Sequence, residues 1–157
     1  MTPAKTKIIT LRQAVSWRRA QARKGKTVAF TNGCFDILHP GHVRILEGAR
    51  KTADSLIVGL NSDASVRRLK GPARPVNSER DRALVLAALE AVDRVVIFGE
   101  DTPAEPLRAL RPDVLAKGAD YAHNQIAGRE YAGKTARIRL VKGKSTSRII
   151  NRLAGRA

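Results

Sequence analysis

The sequence predicts a single α/β domain, a Rossmann-like parallel sheet of about five strands flanked by helices. The chain has 157 residues, of which 43% are hydrophobic, and this suits one ordinary domain with a buried core. Short runs rich in Val, Ile and Leu alternate with helical patterns, as the βαβ units of a parallel sheet require. Each apolar run also ends in small or polar residues, which places a polar cluster at every predicted strand end.

The first predicted element is a helix from Ile9 to about Lys24, with Thr10 as its N-cap and Gly25 at its end. One side of this helix is apolar and carries Leu11, Ala14, Val15 and Ala22. The other side is basic, and we interpret it as a solvent-facing surface. We expect residues 1–157 to form one domain, with a helical extension over 1–25 and a core over 26–153.

The remaining elements alternate along the chain. The five predicted strands lie in "KTVAFTNG", "SLIVGLNSD", "RVVIFGEDT", "DVLAKGADY" and "ARIRLVKGKSTS". The helical segments are "HPGHVRILEGARKTA", "NSERDRALVLAALEAV", Pro103 to Leu110, a short helix or loop from His123 to Ala132, and "SRIINRLAG". Asn77 or Ser78 caps the second of these helices, which is apolar on most of its surface and is therefore expected to be well covered. Gly71, Pro72 and Pro75 predict an irregular segment in "RLKGPARPVN".

The polar clusters at the strand ends predict a pocket. They read "TNGCFD", "NSD", "GEDT", "KGAD" and "KGKSTS" in chain order. In a parallel sheet these ends lie on one edge, and ligands of open α/β sheets bind there.

Composition narrows the class of protein. The net charge is +16, but aromatic residues make up only 4%, which is few for a surface that stacks on bases. Because the basic residues are also spread along the whole chain, we expect the charge to attract phosphorylated small molecules rather than to form a nucleic-acid interface. The sequence contains no bilayer-length apolar run, its N-terminus does not resemble a secretory signal, and Cys34 is its only cysteine. We expect a cytoplasmic protein without membrane contact.

The segment "TNGCFDILHPGHVRIL" carries the clearest chemical signal. Pro40 suits the first turn of a helix, so His39 lies just before that helix and His42 within its first turn. The separation of three places both rings on one side, beside free backbone N–H groups that favour an anion. Gly41 is expected to leave room for a ligand. A zinc site that includes Cys34 lacks a convincing ligand set.

Two further segments favour phosphate binding. "KGKSTS" offers the charge of Lys144 and the hydroxyls of Ser145, Thr146 and Ser147, of which Ser145 or Thr146 also suits a helix N-cap. "RRLKG" carries Lys70 ahead of the Gly and Pro residues, and we interpret it as a flexible lid over the pocket.

Taken in order, "TNGCFDILHPGHVRIL", "NSD", "RLKG", "RPVN", "KGADY" and "STSRII" resemble the HxGH-motif cytidylyltransferase-like nucleotidyltransferases. Within them, the set is most similar to bacterial heptose 1-phosphate adenylyltransferases, which occur alone or as the C-terminal half of bifunctional heptose kinase/adenylyltransferases. The resemblance covers about Lys26 to Leu153. Ala119 and the basic Lys142 and Lys144 depart from the pattern.

The resemblance implies transfer of AMP from ATP, with Mg²⁺, to D-glycero-β-D-manno-heptose 1-phosphate, giving ADP-heptose and pyrophosphate for lipopolysaccharide synthesis. It implies catalytic roles for His39, His42 and Lys70, a homodimer or higher homo-oligomer, and no metal-ligating side chains. The nucleotide-binding residues implied are Asn32, Gly33, Cys34, Phe35, Gly41, Lys117, Gly118, Asp120, Ser145, Thr146 and Ser147. The substrate-binding residues implied are Asp36, Asn61, Asp63, Lys70 and Arg82.

Two alternatives stay open on the sequence. One is a cytidylyltransferase that uses CTP with glycerol 3-phosphate or another polyol or sugar phosphate. The other is a nucleic-acid-binding or nucleotide-binding module without catalysis, which would release no pyrophosphate.

Overall fold

The computed structural model describes residues 2–120, 126–139, 141 and 143–155 and contains one five-stranded parallel sheet. Its strands are β1 (Val28–Gly33), β2 (Ser55–Asn61), β3 (Arg94–Phe98), β4 (Val114–Gly118) and β5 (Lys134–Ile138). Their order across the sheet is β3-β2-β1-β4-β5, and the predicted fold class is confirmed. The order reverses between β1 and β4, which is the position where open α/β sheets bind ligands.

Six α-helices connect or flank these strands. They are α1 (Leu11–Arg23), α2 (Pro40–Arg50), α3 (Asp63–Lys70), α4 (Glu79–Ala88), α5 (Ala104–Leu110) and α6 (Thr146–Leu153), with 3-10 turns at Ala4–Lys7 and Arg129–Tyr131. Thr10 caps α1 as predicted, in a reciprocal capping box with Gln13. Ser78, not Asn77, caps α4 by accepting a hydrogen bond from the Asp81 backbone N–H. No helix in the described part of the chain is long and apolar enough to cross a membrane.

Helix α3 corrects one prediction. The segment "RLKGPARPVN" was expected to be irregular throughout, but its first residues form the last turn of α3. Ser62 caps this helix, and the helix ends where Gly71 takes a φ of 96°. The helix-breaking residues begin only at Gly71, so nothing before them opposed a helix.

The end of the sheet corrects a second prediction. Strand β5 begins at Lys134, two residues before the predicted segment, and already ends at Ile138. Lys144 and Ser145 therefore follow the strand in a loop. The predicted stretch from His123 to Ala132 contains the Arg129–Tyr131 turn. Residues 123–125 of that stretch lie outside the described residues, as do residues 121 and 122 before it and Leu140 and Lys142.

The two faces of the sheet carry two apolar clusters. Helices α1 and α5 cover one face, where Phe30, Ile57 and Leu115 pack against Ala14 and Leu107. Helices α2 and α4 cover the other, where the buried residues are Ala29, Leu56, Val58, Leu60, Ala116, Leu46, Ala49, Ala83, Leu86 and Ala87. The 1–25 extension is therefore packed on the sheet through α1.

Helix α4 is not covered on most of its surface, contrary to the sequence prediction. Its Ala83, Leu86 and Ala87 are buried, but Leu84 and Val85 are 46% and 50% exposed. Residues 84 and 85 lie on the side of the helix that faces away from the sheet, and hydrophobicity alone does not distinguish the two sides.

Three aspartates fix the amino-terminal edge of the sheet. The carboxylate of Asp113 accepts from the Val28 backbone N–H at 2.7 Å, and that of Asp93 accepts from the Leu56 N–H at 2.8 Å. Asp54 accepts in the same way from Thr27. Each aspartate directly precedes one strand, and its carboxylate accepts a hydrogen bond from the start of the neighbouring strand. These bonds lie at the amino-terminal edge of the sheet, and the site forms at the opposite, carboxyl edge.

Replacing Gly59 by Ala is expected to lower the free energy of unfolding by about 1–3 kcal/mol. Gly59 lies in β2, and a Cβ there would stand 2.5 Å from Cζ of the buried Phe30. Gly99→Ala is the matched control, because a Cβ there has no atom within 4 Å. Urea denaturation of both variants checks this, and equal stabilities would contradict the packing described.

Candidate active site

A cleft lies at the carboxyl edge of the sheet, formed by two adjoining cavities of about 260 and 610 Å³. Both are lined by the β1 end and the start of α2, including Asn32, His39 and His42, and by Lys117 and Lys144. The larger cavity alone extends to the ends of β2 and β3. Because the cavities share these walls, we treat them as one cleft.

The cleft brings together sixteen of the residues predicted from the sequence. They are Asn32, Gly33, Cys34, Phe35, Asp36, His39, Gly41, His42, Asn61, Lys70, Lys117, Gly118, Asp120, Ser145, Thr146 and Ser147. The structure places Asp63 and Arg82 elsewhere, behind the cleft wall. The strand ends converge as the sequence predicts, and most of the predicted site residues therefore line one cleft.

The loop after β1 turns sharply at Phe35, whose φ of 43° lies in the left-handed region. Few non-glycine residues adopt that conformation, and such residues concentrate at functional sites. The turn places the Phe35 ring against His42, with ring centroids 5.1 Å apart. Phe35 therefore forms the floor against which the histidine is packed.

His39 is the N-cap of α2, which the sequence did not predict for a histidine. Its Nδ1 accepts a hydrogen bond from the Gly41 backbone N–H at 3.1 Å. A Cβ on Gly41 would lie 2.8 Å from Cε1 of His39, so the space beside Gly41 is filled by the His39 ring, not left for a ligand. Because Nδ1 accepts, a neutral His39 carries its proton on Nε2.

The two histidine rings stack with centroids 3.9 Å apart. Burial, together with the neighbouring His39, lowers the pKa of His42 to about 4. Burial and the Lys144 ammonium also lower the pKa of His39. Both rings are therefore neutral at pH 7 in the free protein, and each offers one N–H donor at the start of α2. Among the described residues, His42 Nδ1 has no hydrogen-bond partner although it is buried.

Lys117 connects β4 to β1 across the point where the strand order reverses. Its ammonium donates to Oδ1 of Asn32, so the two predicted nucleotide-binding side chains contact each other. Burial lowers the pKa of Lys117 to about 8, while Asp120 opposes that shift. The pair fixes two walls of the cleft relative to one another.

The start of α6 forms the opposite wall. Ser145 Oγ caps the helix by accepting from the Arg148 N–H at 3.2 Å. Thr146 Oγ1 donates to the Ile37 carbonyl at 3.1 Å, which joins α6 to the loop before α2. Ser147 and Lys144 are exposed and line the larger cavity. Two helix N-termini, those of α2 and α6, thus meet at one end of the cleft.

Arg82 is a buried clamp on α4, with 2% of its surface exposed. Its Nη1 donates to the carbonyls of Cys34 at 2.6 Å and Asn61 at 2.9 Å. Its Nε donates to the Asn77 carbonyl at 3.0 Å, and its Nη2 to the Asp63 carboxylate at 2.8 Å. The side chain therefore holds the cleft walls together from behind.

Arg74 is the main site residue that the sequence analysis missed. It lies between α3 and α4, lines the larger cavity, and donates from Nε to Oδ2 of Asp36 at 2.6 Å. "RPVN" was part of the family resemblance, but its pairing with Asp36, 38 positions earlier, is not visible in one sequence. The cavity lining also includes Asp101 and Thr102, which belong to the predicted polar cluster "GEDT" but were not assigned as site residues, and four residues that the sequence analysis missed, Leu69, Pro103, Ile126 and Ala127.

Lys70 lines the cavity from the C-terminal end of α3 and is exposed. It was predicted on a flexible lid, whereas the structure places it in the last turn of α3. Its electrostatic effect on Cys34 places its charge near the end of β1.

Comparison with known proteins agrees with this geometry. Residues 30–152 match the cytidylyltransferase-like family model. The bifunctional protein HldE of Methylobacillus flagellatus is 53% identical over 148 residues, which cover 92% of this chain and 30% of that protein. HldE of Paramagnetospirillum magneticum is 52% identical over 159 residues, 99% of this chain and 33% of that one. The chain thus spans about a third of the length of these curated relatives.

A solved structure is also similar. A lipopolysaccharide core biosynthesis protein from Thermoplasma volcanium superposes with a TM-score of 0.62 and 28% sequence identity. The match covers 76% of this chain and all of that one. The similarity therefore extends over most of the sheet and its helices.

Arg82→Ala is expected to lower the free energy of unfolding by about 3–5 kcal/mol, because it leaves buried acceptors and the Asp63 charge unpaired. The nearby Arg80 is exposed and is not among the residues that line the cleft, so Arg80→Ala should change stability by less than about 0.5 kcal/mol. Denaturant titration measures both values. A stable Arg82→Ala protein that has lost only substrate affinity would instead support the predicted substrate-binding role.

The stability of the protein should fall as pH decreases from about 6.5 to about 4. The folded-state pKa of His42 is about 4, below its ordinary value of 6.5, so the unfolded chain binds more protons in this window. His42→Asn removes that group, and its stability should fall less over the same interval. Urea titrations at pH 7 and pH 4.5 test this, and identical losses in both proteins would show that His42 titrates normally.

Proposed function

The chain belongs to the cytidylyltransferase-like family, and we propose that it transfers AMP from ATP to D-glycero-β-D-manno-heptose 1-phosphate. The products are ADP-heptose and pyrophosphate. The resemblance of its motifs to heptose adenylyltransferases supports this choice of substrates. The similarity to a lipopolysaccharide core biosynthesis protein supports a role in supplying that pathway.

One observation carries the proposal: the two stacked histidines at the α2 N-terminus face the same cleft as the α6 N-terminus. His39 and His42 lie at one helix start, and Ser145, Thr146 and Ser147 form the other. Two helix N-termini provide backbone N–H groups and positive dipole ends for anions. This arrangement suits a triphosphate, whose charges are spread over several phosphoryl groups.

In the proposed reaction the α-phosphate of ATP lies beside His39 and His42. An oxygen of the sugar phosphate attacks the α-phosphorus, a new P–O bond forms, and the bond to the β-phosphate oxygen breaks. The electron pair leaves with pyrophosphate. The acceptor phosphate needs no general base, because its second pKa is about 6 and it is already ionised at neutral pH.

The histidines act on the charge that moves to the leaving group. Their rings are held by stacking and by the Nδ1 contact of His39 with Gly41, so the N–H donors are oriented before substrate arrives. Donors fixed in this way stabilise a developing charge without reorganising. Lys70, on a long side chain, is suited to follow the α-phosphate as its charge changes.

We propose that ATP enters as its Mg²⁺ complex. When bound, the ion would neutralise part of the phosphate charge, and the phosphates of the substrate would hold it. Among the described cleft residues, the carboxylates of Asp36 and Asp101 each pair with an arginine and that of Asp120 acts on Lys117, which suits an ion held mainly by the substrate phosphates.

We further propose that the chain acts in the cytoplasm as a homodimer or higher homo-oligomer and does not bind nucleic acid as its function. The single cysteine supports the cytoplasmic location, and the scarcity of aromatic residues supports a function without nucleic-acid binding. Light scattering in solution tests the oligomer. Salt-resistant binding to duplex or single-stranded oligonucleotides would contradict the last.

His39→Ala and His42→Ala are each expected to lower kcat roughly 10²–10³-fold, with a much smaller rise in the KM for ATP. The measurement is pyrophosphate release, with four nucleoside triphosphates tested against heptose 1-phosphate, glycerol 3-phosphate and other sugar phosphates. Arg80→Ala, with an exposed arginine away from the cleft, serves as the control and should keep wild-type rates.

Three outcomes would overturn the proposal. Faster turnover of CTP with glycerol 3-phosphate would place the chain in a different branch of the family. No pyrophosphate release with any pair would favour a binding module. A histidine variant that loses only ATP affinity would assign these rings to ground-state binding.

A further inference from the structure

The larger cavity has a part that the ATP site does not use, and the inference here rests on the proposed function. This part, called the acceptor half below, is lined by Asn61, Leu69, Lys70, Arg74, Asp101 and Thr102. It lies at the ends of β2 and β3, whereas the histidine pair and α6 lie toward β1 and β4. In-line transfer requires the attacking and leaving oxygens on opposite sides of the α-phosphorus, so the acceptor should enter from this half.

Arg74 is the cation in the acceptor half whose position is fixed. Its side chain is 16% exposed, and its Nε donates to Asp36 Oδ2 at 2.6 Å. Within the described part of the chain, its Nη1 and Nη2 make no hydrogen bond. A guanidinium bound through Nε alone keeps its two Nη groups available, and this pair matches two oxygens of a phosphate.

Asp36 is the residue that holds Arg74 in place. Its side chain is 1% exposed, and its Oδ1 accepts from the backbone N–H groups of Val76 at 2.8 Å and Asn77 at 3.1 Å. Asn77 also donates from Nδ2 to the Asp36 carbonyl at 2.9 Å. Four hydrogen bonds thus connect the loop after β1 to the segment that carries Arg74. Asp36 is one of the predicted substrate-binding residues, and in the structure both of its carboxylate oxygens accept hydrogen bonds from the protein.

The other cations of the cleft differ from Arg74 in their contacts and positions. Lys117 donates to Asn32 at the β1 end, and Lys144 lies beside His39 at the other end of the cleft. Lys70 is exposed on a flexible stem at the end of α3. A mobile lysine suits the changing charge of the reacting α-phosphate, whereas a fixed, planar guanidinium suits a group that must be held at one angle.

We propose that Arg74, oriented by Asp36, binds the phosphate of the acceptor sugar and selects phosphorylated over unphosphorylated acceptors. Two of the phosphate oxygens receive the Nη hydrogen bonds, and the third faces the α-phosphorus of ATP. Asp36 is a positioning residue in this scheme and does not contact the acceptor. Asp101 and Thr102 border the same half and face the sugar hydroxyls.

The test is two-substrate kinetics of pyrophosphate release with heptose 1-phosphate and ATP. Arg74→Ala should raise the KM for heptose 1-phosphate roughly tenfold to a hundredfold and leave the KM for ATP within about threefold. Arg74→Lys keeps the charge but loses the paired Nη donors, so it should recover only part of the loss. Asp36→Asn keeps a similar shape and should also raise the acceptor KM selectively. Arg80→Ala should change neither constant.

A binding measurement separates this proposal from the proposed function. The protein is first saturated with α,β-methylene-ATP, which cannot transfer AMP, and is then titrated calorimetrically with heptose 1-phosphate and, separately, with inorganic phosphate. Wild type should bind both and Arg74→Ala should bind each at least roughly tenfold more weakly. If wild type releases no pyrophosphate with any acceptor but still binds phosphate through Arg74, the proposed reaction fails and the Arg74 site stands.

Three results would overturn the Arg74 proposal. One is an unchanged acceptor KM in Arg74→Ala. A second is an equal rise of both KM values, which would mean that the arginine only supports the loop. The third is a wild-type KM for heptose 1-phosphate in Arg74→Lys, because it would show that the position does not need the paired donors of a guanidinium. Should Arg74→Ala fail to fold, the changes in the KM for heptose 1-phosphate and in the KM for ATP are compared in the same way for Arg74→Lys and Asp36→Asn.

Discussion

Parallel strands that end at one edge are the constraint on which the cleft depends. Strands β2, β1 and β4 are neighbours, so the polar residues after them meet without any long loop to bring them together. The reversal of strand order between β1 and β4 opens a gap at that edge, where ligands of open α/β sheets bind. At the other edge Asp54, Asp93 and Asp113 bond the starts of adjacent strands, which fixes how far each strand extends into the cleft.

The order of elements could be predicted from sequence because its signals are local. Apolar periodicity, the Thr10 cap and the Pro40 helix start each involve residues a few positions apart. The cleft residues from Asn32 to His42 were found for the same reason. What was missed depends on distant partners: Arg74 pairs with a residue 38 positions away, and the outward-facing side of α4 is set by how that helix sits on the sheet.

The polar framework of the cleft follows one pattern, an arginine held by an aspartate. Arg74 pairs with Asp36, Arg82 with Asp63, and Arg68 with Asp101. In the first two pairs at least one member is nearly inaccessible to solvent, where an unpaired charge costs several kcal/mol. Near the cleft, the few carboxylates of this strongly basic chain thus hold three arginine side chains in fixed positions. Exposed pairs such as Arg68 with Asp101 contribute little stability, and their effect is mainly on orientation.

The acceptors of Arg82 have a consequence for how such a protein can diverge. Three of the four are backbone carbonyls, those of Cys34, Asn61 and Asn77, which any amino acid would supply. Mutation of Cys34, which lines the cleft, can therefore leave the contact between its carbonyl and Arg82 intact. The arginine itself has no such freedom. Changes in ligand preference can accumulate at such a position of the cleft wall, while the single Arg82 side chain preserves the architecture behind it.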